Sequence, residues 1–145
     1  MSKRPTVASL HKKLQPIFNH FIRLRDTQVV LPFVLGETRE PGTRWGTCIS
    51  CSKELPYEQL QAGHFVPVAS CYYLRYDEDN VNAQCAGCNK WRHGNPFGYM
   101  IGLAIKIGQY EVFELVKSRT KSRQYTVELL TEAIEYYEKK VEEME

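Results

Sequence analysis

The sequence lacks the features that mark membrane, secreted and fibrous proteins. It has no uninterrupted apolar run near the roughly 18 residues that a membrane-spanning helix needs, although 43% of its 145 residues are hydrophobic. Its first residues, MSKRPTVASLHKK, contain no apolar stretch, so we expect no secretory signal. Internal repeats and low-complexity segments are lacking too. These absences predict one cytoplasmic domain over residues 1–145, with no membrane partner.

A strong net charge is also lacking, but the charges are unevenly distributed. The chain has 19 Lys and Arg against 17 Asp and Glu, a net charge of +2. Residues 1–53 carry nine basic and three acidic side chains, whereas residues 96–145 carry seven and nine. A basic N-terminal third suits contact with a polyanion, and it equally suits a solvated helix face. Charge alone therefore leaves nucleic-acid binding open.

Apolar periodicity predicts a helix in the N-terminal segment, residues 1–27. Its apolar side chains follow spacings of 4, 3, 4 and 3 residues. They are Leu10, Leu14, Ile17, Phe21 and Leu24. Pro16 predicts a kink in this helix or a fresh first turn near Gln15. The following segment, Gln28–Leu35, is typical of an edge strand or an extended stretch, because Pro32 has no N–H to donate.

About three further helices are predicted in residues 96–145. Gly108 is expected to end the first of them, and Thr126 to cap the start of the last. Between the terminal helices we expect two short antiparallel strands that bracket a tyrosine-rich loop, with a helix starting near Cys88.

Five cysteines are present, an odd number, and four of them form two C-x-x-C pairs. Cys48 and Cys51 are separated from Cys85 and Cys88 by 33 residues. In a chain without an export signal this pattern indicates metal binding rather than disulfides. Four thiolates close a tetrahedron around Zn²⁺ and leave no open position, so we expect a structural zinc. The fifth, Cys71, is expected to be a small buried side chain.

The long separation between the cysteine pairs leaves room for a β-hairpin, with the second pair at the start of a helix. This arrangement is a treble clef. We therefore predict an α+β fold with a zinc-stabilised treble-clef core at residues 44–95, between the N-terminal helical segment and the C-terminal helices.

Three polar residues follow the order His–Asn–Asn around the cysteine pairs: His64, Asn80 and Asn89. This order resembles the HNH, or His-Me finger, nucleases, whose ββα-metal motif is often built on a treble clef. The resemblance implies that His64 is the general base, since neutral imidazole has a pKa near 6.5. Asn80 would accept the other imidazole N–H, and Asn89 would supply an oxygen ligand to a catalytic metal ion. A packed core histidine is the alternative for His64.

One position departs from the HNH pattern. Gly63 stands where these nucleases commonly carry an acidic metal ligand. Metal ligands must then come from other residues. The candidates are His93, the candidate base His64 itself, and a carboxylate such as Asp77 or Asp79. His93 follows Asn89 by four residues and is therefore expected on the same face of the predicted helix. We predict Mg²⁺ or Mn²⁺ as the catalytic ion, with Asn89 and His93 as its ligands.

Segments along most of the chain resemble the bacteriophage NinG (Rap) family. They are Lys13–Leu14, Phe18–Asp26, Cys48–Cys51, Gln61–Phe65, Asn80–Cys85, Cys88–Asn89, Gly94–Asn95 and Tyr99–Gly108. Members of that family are phage recombination nucleases that cleave branched DNA, such as Holliday junctions and D-loops. The resemblance implies the same substrate and activity here. A homodimer is compatible with this activity, because resolving a junction ordinarily needs two active sites.

Basic side chains near the predicted site are candidates for DNA contact. Lys90 and Arg92 follow Asn89, and Arg75 stands among tyrosines that could stack on unpaired bases or simply cover the small core. The basic segment at residues 117–123 offers a second phosphate contact. Two alternatives stay open: a non-catalytic zinc DNA-binding module, which Gly63 favours, and an HNH nuclease that nicks ordinary duplex DNA.

Overall fold

The computed structural model describes residues 3–145, which form four α-helices and five strands. In chain order they are α1 (Val7–Arg25), β1 (Thr27–Val29), β2 (Arg44–Thr47), β3 (Glu54–Pro56), β4 (Leu60–His64), β5 (Val81–Cys85), α2 (Pro96–Ile107), α3 (Gln109–Lys117) and α4 (Val127–Met144). Short 3₁₀ turns lie at Tyr57–Gln59, Tyr72–Leu74 and Ser118–Thr120, and a π-helical turn spans Gly87–Trp91. The predicted mixed α+β class is confirmed. Met1 and Ser2, the start of the predicted N-terminal segment, lie outside the described residues.

Helix α1 begins at a capped start and presents one apolar stripe. Thr6 Oγ1 accepts a hydrogen bond from the N–H of Ser9 at 3.0 Å, and Ser9 Oγ accepts one from the N–H of Thr6 at 2.9 Å. The helix continues through Pro16, so the predicted fresh start near Gln15 is wrong. Pro16 is exposed, so the carbonyl of Lys12, which loses its helical partner, lies on the solvent side of the helix.

Helix α4 packs along α1 and buries the largest apolar cluster. Thr126 caps it as predicted, because its Oγ1 accepts a hydrogen bond from Leu129 N at 3.1 Å. Phe18 contacts Tyr137 edge to face, with ring centroids 4.9 Å apart. The buried members are Leu10, Leu14, Phe18, Phe21, Ile22, Val81, Leu130, Ile134 and Tyr137. We call α1 and α4 the helical layer.

Strands β1, β2 and β3 form one antiparallel sheet in that order. Strand β1 lies at the edge, and Pro32 follows it in a turn, in agreement with the edge position predicted for Gln28–Leu35. Gly46 pairs with Leu55 in the middle of this sheet. A Cβ on Gly46 would approach the carbonyl oxygen of Asp26 to 2.4 Å, so only glycine fits where the sheet passes the end of α1.

Strands β4 and β5 form a separate antiparallel ribbon, the hairpin predicted around the tyrosine-rich loop. His64 pairs with Val81, and Leu60 pairs with Cys85. Since side chains alternate along a strand, the two faces of the ribbon differ. One face packs Ala62 and Val81 against the helical layer. The opposite face carries Gln61, Gly63, Asn82 and Gln84, and it lies under the π-helical turn and α2.

Helices α2 and α3 enclose a second apolar cluster. Gly108 ends α2 with a φ of 92°, as predicted for a C-terminal glycine. The buried members of this cluster are Val66, Cys71, Leu74, Tyr99, Leu103, Val112 and Leu115. Cys71 is therefore the small buried side chain that the sequence predicted. Within residues 3–145, the helices are all too short or too polar to cross a membrane.

A cluster of charged groups around Asp26 joins the helical layer to the cysteine half, which we define as residues 44–95. The Asp26 carboxylate accepts hydrogen bonds from the N–H of Ala83 at 2.8 Å, from Arg25 at 2.8 Å and from Lys106 at 2.9 Å. Burial opposes ionisation of Asp26, but the two cations outweigh it and lower the pKa of the carboxyl. The end of α1 is thus tied to both β5 and α2.

Candidate functional site

The four paired cysteines converge beside the β4–β5 ribbon. Their sulfur atoms all lie within 4.8 Å of one another, and Sγ of Cys51 is 3.8 Å from Sγ of Cys85. A zinc–sulfur bond of about 2.3 Å places two sulfurs of a tetrahedron about 3.8 Å apart. The sulfurs of Cys48, Cys51, Cys85 and Cys88 therefore fit the closed tetrahedral site of a structural Zn²⁺.

Hydrogen-bond donors are directed at two of these sulfurs. The N–H of Cys88 donates to Cys85 Sγ, and Asn95 Nδ2 donates to Cys88 Sγ, each at 3.3 Å. Burial opposes ionisation of Cys85, but the hydrogen bonds from Cys88 and its neighbours outweigh it and lower the pKa of that thiol. Bonds of this kind stabilise thiolates and orient them for a metal.

His64 ends β4, beside the loop that carries the tyrosines. Its Nε2 lies 2.9 Å from the carbonyl oxygen of Arg75. Because a carbonyl can only accept, this contact assigns the proton to Nε2 and leaves the lone pair of Nδ1 available. Burial lowers the pKa of His64 below its usual 6.5, so the imidazole is neutral at pH 7. A neutral imidazole with one oriented, unprotonated nitrogen can act as a general base.

Asn80 is fully buried, but it does not hold the imidazole as the sequence suggested. Its Oδ1 accepts a hydrogen bond from Val66 N at 2.8 Å, and its Nδ2 donates to the carbonyls of Val66 and Leu74 at 3.0 and 3.1 Å. These bonds close the loop between β4 and β5. The predicted hydrogen bond from His64 to Asn80 is wrong, because the carbonyl of Arg75 takes that place.

Asn89 lies in the π-helical turn, over the polar face of the ribbon. Its Nδ2 donates to Gln61 Oε1 at 2.8 Å. This bond uses the amide nitrogen and not the amide oxygen, the atom predicted from the sequence to bind a metal ion. Gln61 is the register partner of Gln84 on β5. Gln84 therefore lies on the face of the ribbon that Asn89 contacts.

The predicted placement of His93 on one helix face with Asn89 is wrong. The helical turn ends at Trp91, and His93 has a φ of 51°. Gly94 and Asn95 also have positive φ values, 84° and 43°. Three consecutive left-handed residues turn the chain out of the helix, so the spacing of four residues no longer means a shared face. The exposed His93 lies outside the turn that carries Asn89.

The absence of a side chain at Gly63 has a direct structural cause. A Cβ at this position would lie 1.9 Å from Gln84 Oε1, so the glutamine occupies the space that an acidic side chain would need. Gln84 is fully buried, and its Nε2 is fixed by bonds to Ser50 Oγ at 2.8 Å and to the carbonyl of Gly94 at 2.7 Å. Its Oε1 accepts no hydrogen bond from any residue in the range 3–145.

Gln84 is the site residue that sequence reasoning missed. A glutamine directly before a cysteine follows no recognisable pattern, and the only signal in the sequence was the departure at Gly63. A buried amide oxygen without a partner costs about 1–3 kcal/mol unless a donor or an ion meets it. Gln84 Oε1 is therefore a candidate ligand atom.

The three side chains predicted to contact DNA differ in their surroundings. Lys90 and Arg92 are exposed, one in the π-helical turn and one just after it. Arg75 is tied to α1, because its Nε donates to Gln15 Oε1 at 2.8 Å, and its guanidinium lies 5.3 Å from the ring centroid of Tyr76. Lys90 and Arg92 are thus open to solvent, whereas Arg75 fixes the loop that holds His64.

A family profile described as Bacteriophage Lambda NinG protein matches residues 5–145. The chain belongs to the NinG family. Curated relatives called Protein ninG are 33% identical in Escherichia phage 933W, 32% in Escherichia phage lambda and 34% in Salmonella phage P22. The alignments cover 92%, 92% and 88% of this chain, and 57%, 56% and 54% of the relatives. No solved structure shows significant similarity.

The NinG match includes every site residue described above, from the first cysteine pair to the exposed His93. The resemblance of the sequence to the NinG family is thereby confirmed. The chain spans little more than half the length of the NinG relatives it matches, and their name states no activity.

Proposed function

We propose that this NinG chain is a zinc-stabilised, divalent-metal-dependent endonuclease of the HNH type that hydrolyses phosphodiester bonds in branched DNA. The observation that carries the proposal is the contact of His64 Nε2 with the carbonyl of Arg75, which orients the imidazole and leaves Nδ1 as its basic nitrogen, while burial lowers the pKa of the ring. Activation of water at neutral pH requires such a group. Branched DNA as the substrate, and action in the cytoplasm of the host, are implied by the family resemblance.

In the proposed reaction, Nδ1 of His64 takes a proton from a water molecule whose oxygen attacks phosphorus. The bond between phosphorus and the 3′ oxygen breaks, and the leaving oxygen takes a proton from solvent. The hydrogen bond from Nε2–H to the carbonyl of Arg75 becomes stronger as the imidazole gains charge, so it stabilises the imidazolium that forms. Lys90 and Arg92 would contact flanking phosphates.

The residues on the polar face of the ribbon fit a hard divalent ion. Such an ion would stabilise negative charge on the scissile phosphate and the leaving oxygen. Gln84 lies on this face, Asn89 contacts the face through Gln61, and the oxygen of Gln84 is buried and accepts no hydrogen bond within residues 3–145. Mg²⁺ and similar ions use few protein oxygens when substrate phosphates complete the coordination. We therefore assign Gln84 and Asn89, in place of His93, as the protein ligands.

The test of the nuclease proposal is cleavage of a four-way junction and of linear duplex by the zinc-loaded chain with Mg²⁺ or Mn²⁺. We expect cleavage of the junction and a loss of about 10²- to 10⁴-fold in His64→Ala. His20→Ala is the matched control, because His20 lies on α1 and contacts Tyr57 and Glu145. No cleavage by the wild-type chain would support a DNA-binding module instead. Equal cleavage of duplex would support a general nicking nuclease.

The assignment of Gln84 has a separate test, binding of Mn²⁺ to the protein followed by electron paramagnetic resonance. Gln84→Ala should weaken binding. Gly63→Asp alone should destabilise the protein, because the new side chain meets Gln84. Gly63→Asp combined with Gln84→Ala should restore binding, since the carboxylate enters the vacated space. Unchanged binding in Gln84→Ala would contradict the assignment.

A further inference from the structure

Two segments that lie far apart in the sequence form one surface, and one of them belongs to the loop that contacts His64. The segment at residues 117–123 packs against the loop that starts at Cys71. Cys71 Sγ donates toward the carbonyls of Ser118 at 3.8 Å and Lys121 at 3.5 Å, and Tyr125 OH donates to the carbonyl of Tyr72 at 2.7 Å. The basic segment is therefore held in place on the tyrosine-rich loop.

This surface is strongly cationic. Residues 117–123 contain four basic and no acidic side chains. Lys117, Arg119, Lys121 and Arg123 are all exposed. Lys117 pairs with Glu114 at 3.4 Å, an exposed contact that contributes little. The cations are therefore available to neutralise phosphates, a contact that carries no sequence preference.

Tyrosine rings supply the second component of the surface. Lys121 Nζ and Arg123 Cζ lie 5.6 and 5.2 Å from the ring centroid of Tyr73, which pre-positions both cations. The neighbouring Tyr72 is 58% exposed, although the carbonyl of the same residue is bound by Tyr125. An exposed ring on a fixed backbone offers a face on which an unpaired base can stack.

The same loop connects this surface to the candidate base. Tyr72 begins the 3₁₀ turn that leads to Arg75, whose carbonyl oxygen accepts the hydrogen bond from His64. Arg75 is itself anchored to Gln15 of α1. A strand bound on the tyrosines would therefore pass close to the group that we propose as the general base.

We propose that Tyr72, Tyr73, Lys117, Arg119, Lys121 and Arg123, the basic–aromatic surface, bind an unpaired strand of the branched substrate. This inference rests on the proposed function and deepens it, because it states which part of the DNA this surface contacts. Cations alone would hold duplex and single strand alike. The exposed ring of Tyr72 favours single strands, since bases in a duplex are already stacked.

Binding is tested by fluorescence anisotropy on the full chain, without added divalent ion, so that cleavage does not enter. The probes are a 20-nucleotide oligothymidylate and a duplex of the same length. Tyr72→Ala should weaken oligothymidylate binding by about 5- to 150-fold, the range for loss of one stacked base, and change duplex binding less than about twofold. Tyr72→Phe should bind as the wild type does. Tyr110→Ala is the control and should have no effect, since Tyr110 lies on α3 and is 71% exposed.

The charge contribution is tested with Lys121→Gln combined with Arg123→Gln. Removal of two phosphate contacts should reduce the slope of log affinity against log salt by about 1.4 for single strands. Lys139→Gln combined with Lys140→Gln is the matched control, because Lys140 also lies over a tyrosine ring, that of Tyr136, at 5.5 Å. Unchanged binding in the Tyr72 and Lys121/Arg123 variants would overturn the proposal, even if the chain cleaves junctions. Loss of binding in both would support it, even if the chain cleaves nothing.

Discussion

The helical layer and the cysteine half are held together by different forces. Between α1 and α4, large apolar side chains pack on one another, with Phe18 fully buried against Tyr137. In the cysteine half, Leu55, Leu60 and Ala83 form a small apolar cluster, and Val66, Cys71 and Leu74 pack under α2 and α3. The remaining order of this half depends on four sulfurs and on buried amides such as Asn80 and Gln84. The layer is stabilised by area removed from water, and the cysteine half by specific polar partners, to which a metal ion held by the four sulfurs would add.

Among the changes considered, removal of the metal site should destabilise the protein most, and it should affect the cysteine half more than the helical layer. Structural zinc contributes roughly 10 kcal/mol or more of folding free energy in small zinc domains. Cys48→Ser should therefore abolish zinc binding and expose the amides of β4 and β5 to hydrogen exchange, while α1 and α4 keep more protection. Cys71→Ser is the control, since Cys71 is also buried but lies outside the cluster. Equal loss of protection in both regions would show that they unfold as one unit.

The second largest loss of stability should follow from a cavity in the helical layer. Phe18→Ala should destabilise the protein by about 3–5 kcal/mol, because it removes a ring at the centre of the largest apolar cluster. The zinc content, measured by elemental analysis of the folded variant, should stay at one equivalent. Phe33→Ala removes the same ring from a residue that is 94% exposed and should have almost no effect. Loss of zinc from folded Phe18→Ala protein would show that the sulfur site depends on this packing.

The charged link between the two regions should give a smaller effect that depends on pH. Asp26→Asn should cost about 3 kcal/mol at pH 7, because Arg25 and Lys106 lose their shared carboxylate. The pKa of Asp26 is lowered in the folded state, so its contribution is present above the unfolded value near 4 and is lost as the pH falls through the folded value. Denaturant unfolding at pH 7 and at pH 3 should therefore show a smaller difference at pH 3.

The matched control for this link is Glu114→Gln, which breaks the exposed pair with Lys117. It should change stability little at either pH. A cost of Asp26→Asn that stays the same at pH 3 would contradict the electrostatic account of the link.

The two regions also differ in how well the sequence predicts them. The stripe of Leu10, Leu14 and Phe21 indicated α1 because packing at a helical period leaves a repeating pattern. The two C-x-x-C pairs indicated the sulfur cluster, and the long segment between them indicated the hairpin. The partner of each polar side chain followed no such pattern. The sequence predicts that Asn80 accepts a hydrogen bond from His64, but the carbonyl of Arg75 accepts it instead. A sequence does not show which backbone carbonyl the fold will bring near a given side chain.

The errors around Asn89 have the same origin. A spacing of four residues implied that His93 shares a face with Asn89, but that rule holds only while the α-helix continues. Left-handed residues at positions 93–95 end the turn first. The sequence did not indicate Gln84, because its place in the site depends on the absence of a side chain at Gly63. The two residues lie on different strands, so no spacing along the chain connects them.

The central claim, that His64 is the general base, is tested most directly by the pH dependence of kcat/KM for junction cleavage. Burial lowers the pKa of His64, and a base must be neutral to act, so cleavage should fall on the acid side with a midpoint below 6.5. Above that midpoint the rate should level off. The residual cleavage of His64→Ala should lack this acid limb. A midpoint above 6.5, or an acid limb that persists unchanged in His64→Ala, would contradict the account.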